Sequence, residues 1–189
     1  MISTIKVAIR FTAITAVVLG LIYPLAMTGI AHAIWPDKAN GQLITRNGQL
    51  LGSALIGQSF AGEGYFHGRP SAAGNGYDAA NSSGSNLAQS NKKLVDRING
   101  DVAAYQKTAP GQEVPIDLVT ASGSGLDPDI TPAAALYQVH HVAQARHMSD
   151  DAVRQLVMAH VTGRQFGLLG EPRVNVLALN LALDDAAGK

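Results

Sequence analysis

The sequence predicts an α+β fold, with one N-terminal transmembrane helix followed by a small extracytoplasmic domain holding a β-hairpin and about three helices. Three observations predict it. From Phe11 to Trp35 no Asp, Glu, Lys or Arg occurs, with Arg10 before the stretch and Asp37 after it. Two short apolar runs then flank Asn47-Gly48. Further on, apolar residues recur at helical spacing in several stretches broken by Gly, Pro and Ser.

At about 1.5 Å of rise per residue, residues 11–35 are long enough to cross a hydrocarbon core with some tilt. Residues 1–10 then form a short tail and 36–189 an ordinary water-soluble domain. Two readings of the apolar segment stay open on residues alone. Ala31-His32-Ala33 has the small-x-small form of a cleavage site, and Lys6 and Arg10 suit a signal peptide's charged start. Against cleavage, signal h-regions run about 7–15 residues, and this run continues past that to Trp35-Pro36, an aromatic at the level of a membrane interface. Thr12, Ala16 and Gly20, four apart, form a stripe of small residues that another helix could approach closely, and Pro24 should bend the span. Lys6 and Arg10 without an acidic neighbour place the tail in the cytoplasm and the domain outside it.

Leu43-Ile44-Thr45 and Leu50-Leu51 flank Asn47-Gly48, whose tolerance of positive φ at both positions signals a two-residue hairpin. Tyr65-Phe66-His67-Gly68-Arg69-Pro70-Ser71 is too rich in Gly and Pro for a helix, and its aromatics should dock a loop onto the domain. The first soluble helix is expected to start near Ser85 or Asn86, with Leu87, Leu94, Ile98, Val102 and Tyr105 on its inner face. Thr131 as N-cap and Pro132 at the first position open a second helix, and Ser149 caps a third. From Val174 to Leu183, alternating Leu177, Leu179, Leu181 and Leu183 favour a strand, although Pro172 could open a short helix.

Composition narrows the function. The formal net charge of the 189 residues is zero, which gives no reason to expect nucleic acid as a partner. The absence of cysteine removes a thiol nucleophile and Cys-based zinc sites. Ser122-Gly123-Ser124-Gly125 before a helix could present N–H groups to an anion, but no Gly-Lys-Ser/Thr follows, so a turn is the default. His140 and His147 share a helix face without a carboxylate at ligand spacing, and His160 sits on an apolar stripe as a core histidine would. Gln138 reads as a surface or capping amide. No nucleophile–base pair stands out, and no metal is expected.

Several long motifs nevertheless resemble one family nearly end to end. They are Tyr23-Pro24, then Gly52-Ser53-Ala54-Leu55-Ile56-Gly57-Gln58-Ser59-Phe60, Tyr65 to Ala72, and Ser83-Gly84-Ser85-Asn86-Leu87. Leu118 to Asp127, Gly170 to Leu177 and Leu179 to Leu183 complete the set. The chain resembles the C subunit of the Kdp potassium-transporting P-type ATPase. The resemblance implies retention of the apolar segment in a bacterial inner membrane, with the N-terminus cytoplasmic and the C-terminal domain periplasmic. It implies an accessory subunit without catalysis of its own, partnered by a potassium-channel-like subunit, a P-type ATPase subunit and the lipid bilayer. The family's C subunit is needed for assembly and acts as a catalytic chaperone that raises the ATP affinity of the ATPase subunit. No firmly bound cofactor is implied; ATP enters through the ATPase subunit.

The family's nucleotide element falls on Gln138, with Ser122, Gly123, Ser124 and Gly125 upstream. The orientation read from Lys6 and Arg10 sets that position on the side away from cytoplasmic ATP, and the stretch lacks the Lys or Arg that accompanies a triphosphate. Residues alone therefore favour an assembly role. Thr12, Ala16, Gly20 and Pro24 would pack on partner helices, and Tyr65, Phe66, His67 and Arg69 would form an interface loop. The rival reading is a stand-alone anchored envelope protein that binds a ligand at that same loop.

Overall fold

The computed structural model describes residues 2–186. The chain divides into two compact units, Met1–Ser53 and Ala54–Lys189.

In the first unit, helix α1 runs unbroken over Ile2–Ile34, and none of its residues is buried. It is the one described helix long and apolar enough to cross a membrane. Lys6 and Arg10 lie in the first turns of this helix. Just before Pro24 the helix widens into a π-turn over Val18–Ile22, where the Tyr23 N–H donates to Val18 O. Proline lacks an N–H and its ring crowds the carbonyl four residues back; one wider turn relieves both. Polar side chains bond within the helix, Thr15 Oγ1 donating to Phe11 O at 2.8 Å and His32 Nδ1 lying 2.9 Å from Thr28 O. Such closure removes the cost of unsatisfied groups in an apolar surrounding.

After Trp35 a single turn α2 (Pro36–Ala39) leads to β1 (Leu43–Arg46) and β2 (Gln49–Ser53). These form the expected antiparallel hairpin. Asn47 and Gly48 have φ of 52° and 77°, the type I′ pair that matches strand twist.

The second unit carries four α-helices and a three-stranded antiparallel sheet among its described residues, one helix more than expected and a sheet that was not foreseen. Helix α3 spans Lys92–Thr108. It starts later than the sequence suggests because Asn91, not Ser85 or Asn86, accepts from the Lys93 N–H, while Asn86 adopts a left-handed φ of 51°. A short strand β3 (Asp129–Ile130) precedes α4 (Pro132–Arg146), capped by Thr131, and α5 (Asp150–Ala159), capped by Ser149, both as expected. Strands β4 (Val161–Thr162) and β5 (Arg173–Asn175) follow, with β5 central in the order β3-β5-β4.

The last element corrects the expectation of a strand through Leu183. Only Arg173–Asn175 is extended, and Val176–Ala186 is helix α6. Its buried residues are Val176, Leu177, Leu179, Asn180 and Leu183, a helical face. Helices α4, α5 and α6 enclose a core of Val139, Val142, Val153, Val157, Leu179 and Leu183, with Phe66 from the aromatic loop fully buried among them. Burying a ring of that size contributes about 1.5–3 kcal/mol.

Candidate functional site

The loop at Tyr65–Arg69 is the meeting point of the second unit. Two amides from two helices hold its backbone. Asn180 on α6 accepts from the Phe66 N–H at 2.8 Å and donates to Phe66 O at 2.9 Å. Gln138 on α4 does the same for the next residue, accepting from the His67 N–H at 2.8 Å and donating to His67 O at 3.1 Å. Successive residues of an extended chain turn their backbone groups to opposite sides, so a clamp from each side is what such a segment requires. Each amide thus replaces a neighbouring strand. Gln138 also donates to Ala134 O at 3.2 Å, which uses both of its N–H groups. It is 6% exposed, so the expected surface role gives way to a buried tether.

Two cations fix the ends of the loop. Arg146 donates from Nε to Gly64 O at 2.6 Å and from Nη1 to Asp184 Oδ1 at 2.7 Å, and its guanidinium lies 4.4 Å from the Tyr65 ring centre. The Tyr65 hydroxyl donates to the same Asp184 carboxylate at 3.2 Å. Arg69 donates to Thr120 O at 3.1 Å and to Asp127 Oδ2 at 3.2 Å. Tyr77, whose hydroxyl donates to Arg69 O at 2.6 Å, has its phenol pushed up by burial first, then by Asp127, with Arg69 opposing.

The two Ser-Gly stretches close on each other. Ser83 N–H and Ser82 Oγ both donate to Ser124 O, at 2.9 Å each. Ser71 Oγ donates to Gly125 O at 2.6 Å. Within the stretch, Ser122 Oγ accepts from the Gly125 N–H and Ser124 Oγ from the Leu126 N–H. Those two N–H groups are therefore engaged within the protein.

Among the interface-loop candidates, Phe66 is core, Arg69 is ion-paired, and Tyr65 and His67 line a cavity of about 290 Å³ with Tyr105, Gln138 and His141. Burial pushes the Tyr105 phenol up to about 12, so it is neutral at ordinary pH. Gln138 reaches this cavity, whereas Ser122–Gly125 are not among its walls. Of the histidines, His140 Nδ1 lies 2.8 Å from Asp150 Oδ2, His147 ends α4 in a left-handed turn, and His160 Nδ1 meets Leu156 O at 2.8 Å while only half-buried. In α1, Thr12 and Ala16 keep their shared face, but the four-residue spacing is interrupted before Pro24 by the π-turn that contains Gly20. Sequence reasoning missed Asn180, Arg146 and Asp184. A lone amide inside the run Val176 to Leu183 was the available signal.

The family described as KdpC, the c chain of a K⁺-transporting ATPase, matches residues 5–185. The chain belongs to the KdpC family. The matched region takes in α1 from Ile5 onward and extends through both units. A "Potassium-transporting ATPase KdpC subunit" of Acidobacterium capsulatum is 62% identical over 180 residues, covering 95% of this chain and 97% of that one. The protein of the same description from Koribacter versatilis is 58% identical over 177 residues, covering 94% and 92%. That of Rhodopseudomonas palustris is 53% identical over 201 residues, covering all of both chains. A KdpC-family chain is by this description an accessory subunit of a K⁺-transporting ATPase, and so one part of an assembly with partner subunits.

Proposed function

We propose that α1 anchors this subunit in a bacterial inner membrane, N-terminus cytoplasmic, with the Ala54–Lys189 unit periplasmic. There it holds together a potassium-channel-like subunit and a P-type ATPase subunit, performs no chemistry itself, and raises the ATPase subunit's ATP affinity through that contact. The observation that carries this reading is α1, a predominantly apolar helix of 33 residues of which none is buried in the chain's own fold. Such a helix needs lipid or other helices around it. The orientation rests on Lys6 and Arg10, and a cytoplasm-only reporter fused to the C-terminus should be silent. Mild detergent extraction should recover the chain together with a large membrane subunit and an ATPase; recovery of the chain alone would sink the proposal.

Gly20→Leu is a clean probe of α1. A Cβ at Gly20 meets nothing within 4 Å in the chain itself, and leucine is the better helix former. The isolated chain should keep its stability while co-purification of partners falls about tenfold. Wild-type co-purification would show that this position faces lipid.

The clamp supports an indirect effect on ATP. Gln138 has its carbonyl and both N–H groups engaged by backbone, and no Lys or Arg lines the cavity it reaches. Gln138→Ala should reduce the yield of assembled complex but leave the ATP concentration dependence of that complex unchanged. A KM for ATP raised severalfold at unchanged yield would instead establish direct nucleotide contact.

A further inference from the structure

The segment between β4 and β5 ends in a tight hairpin that presents apolar side chains outward. Gln165 and Leu169 exchange N–H···O bonds of 2.9 Å each, and the Leu168 N–H donates to Gln165 O at 3.1 Å. Phe166 at the tip is 92% exposed and Leu168 79%, with Leu169 exposed beside them. Phe166 and Gly167 have φ of 53° and 73°, the combination of a type I′ turn. Asn, Asp or Gly normally occupies the first of these positions, because a side chain with a bulky Cγ is disfavoured in the left-handed region. An aromatic is thus kept where the backbone does not favour it, and is aimed away from the core. Strain of this kind persists where a site is in use.

We infer that the Phe166–Leu169 tip is a knob that enters an apolar pocket on another polypeptide subunit of the same assembly. This rests on the accessory-subunit reading. Charge argues for a protein over a lipid surface. The one cation between Gly163 and Glu171 is Arg164, and its Nη2 is held by Glu171 at 2.6 Å. The same segment has no Lys, Trp or Tyr, the residues that seat a protein at a headgroup layer. Size argues against pairing of two copies through their tips. One aromatic and two leucines bury a few hundred Å², well short of the roughly 800 Å² per partner of a stable interface. A knob of that size fits inside a larger contact, where a buried aromatic carries a disproportionate share of the binding energy.

The test uses the full chain in the assembled complex. Phe166→Asn removes the ring and installs the residue the turn favours. The variant chain should unfold at or above the wild-type midpoint, while recovery of partner subunits after detergent extraction falls about tenfold. Because the chain has no cysteine, a photo-crosslinker on Leu168→Cys reports the tip's neighbour, and the expected adduct is with a partner polypeptide. Adducts with lipid or with a second copy of this chain would overturn the inference. So would wild-type recovery of partners by Phe166→Asn, which would leave the accessory-subunit reading intact. Wild-type chain that brings down no partner at all would remove both.

Discussion

Asn180→Leu is expected to destabilise the second unit by about 2–4 kcal/mol, since two buried backbone groups lose their partners at roughly 1–3 kcal/mol each. Asn180 is 1% exposed and Phe66 is fully buried. Leucine is close to asparagine in size, so lost packing does not explain the effect. The thermal midpoint followed by circular dichroism should fall by about 10 °C. The damage should be local at first. Phe66, fully buried, is the hinge by which the loop is fastened to α4, α5 and α6, and Tyr65 with its Asp184 and Arg146 contacts sits one residue away. Hydrogen exchange should therefore rise across residues 64–69 before the helices respond. An unchanged midpoint would mean that the Phe66 backbone is satisfied in some other way.

Gly125→Ala should be comparably costly, for a different reason. Gly125 has a φ of 66°, and a Cβ there would lie 2.6 Å from Ala73 N and 2.6 Å from Ser83 O. Both are backbone atoms, which cannot swing aside. A left-handed alanine costs about 1–2 kcal/mol and forced repacking a further 1–3 kcal/mol. The total should be about 3 kcal/mol, with early protease cleavage between Ser71 and Asn86 as that segment is pried from residues 122–126. Gly123→Ala is the control. Its Cβ meets nothing within 4 Å, and its backbone is not left-handed, so it should be near neutral. Equal effects from the two variants would disprove the steric argument.

What could be read in advance follows from how local each cause is. The β1–β2 turn is decided by Asn47-Gly48 alone, and the starts of α4 and α5 by Thr131 and Ser149 together with Pro132 and the acidic first turn of α5. The start of α3 was misplaced because Ser85, Asn86 and Asn91 are equally good capping residues; only the tertiary fold puts Asn86 in a left-handed turn. In α6, leucines at alternate positions imitated a strand, while Leu181 is only partly buried and Asn180, polar by type, completes the inner face. The amide clamps could not be read at all. Their partners are backbone atoms 71 and 114 residues away, and backbone groups carry no sequence signature. That the aromatics dock this loop onto the domain was legible in its composition, and Phe66 is core; that Arg69 is tied to Thr120 and Asp127 was not, because those partners lie more than fifty residues away.

The π-turn in α1 has a consequence for how any neighbour can read that helix. One extra residue in a turn advances every later side chain by about 100° around the axis. A helix that follows Thr12 and Ala16 along their common line therefore loses that line after Ile22. Pro24, Thr28 and Gly29 are carried round to another azimuth. The span is in effect two half-helices set out of phase, able to show one neighbour its first half and a different neighbour its second. For a chain whose proposed work is to keep unlike subunits together, a single proline supplies two separate docking directions.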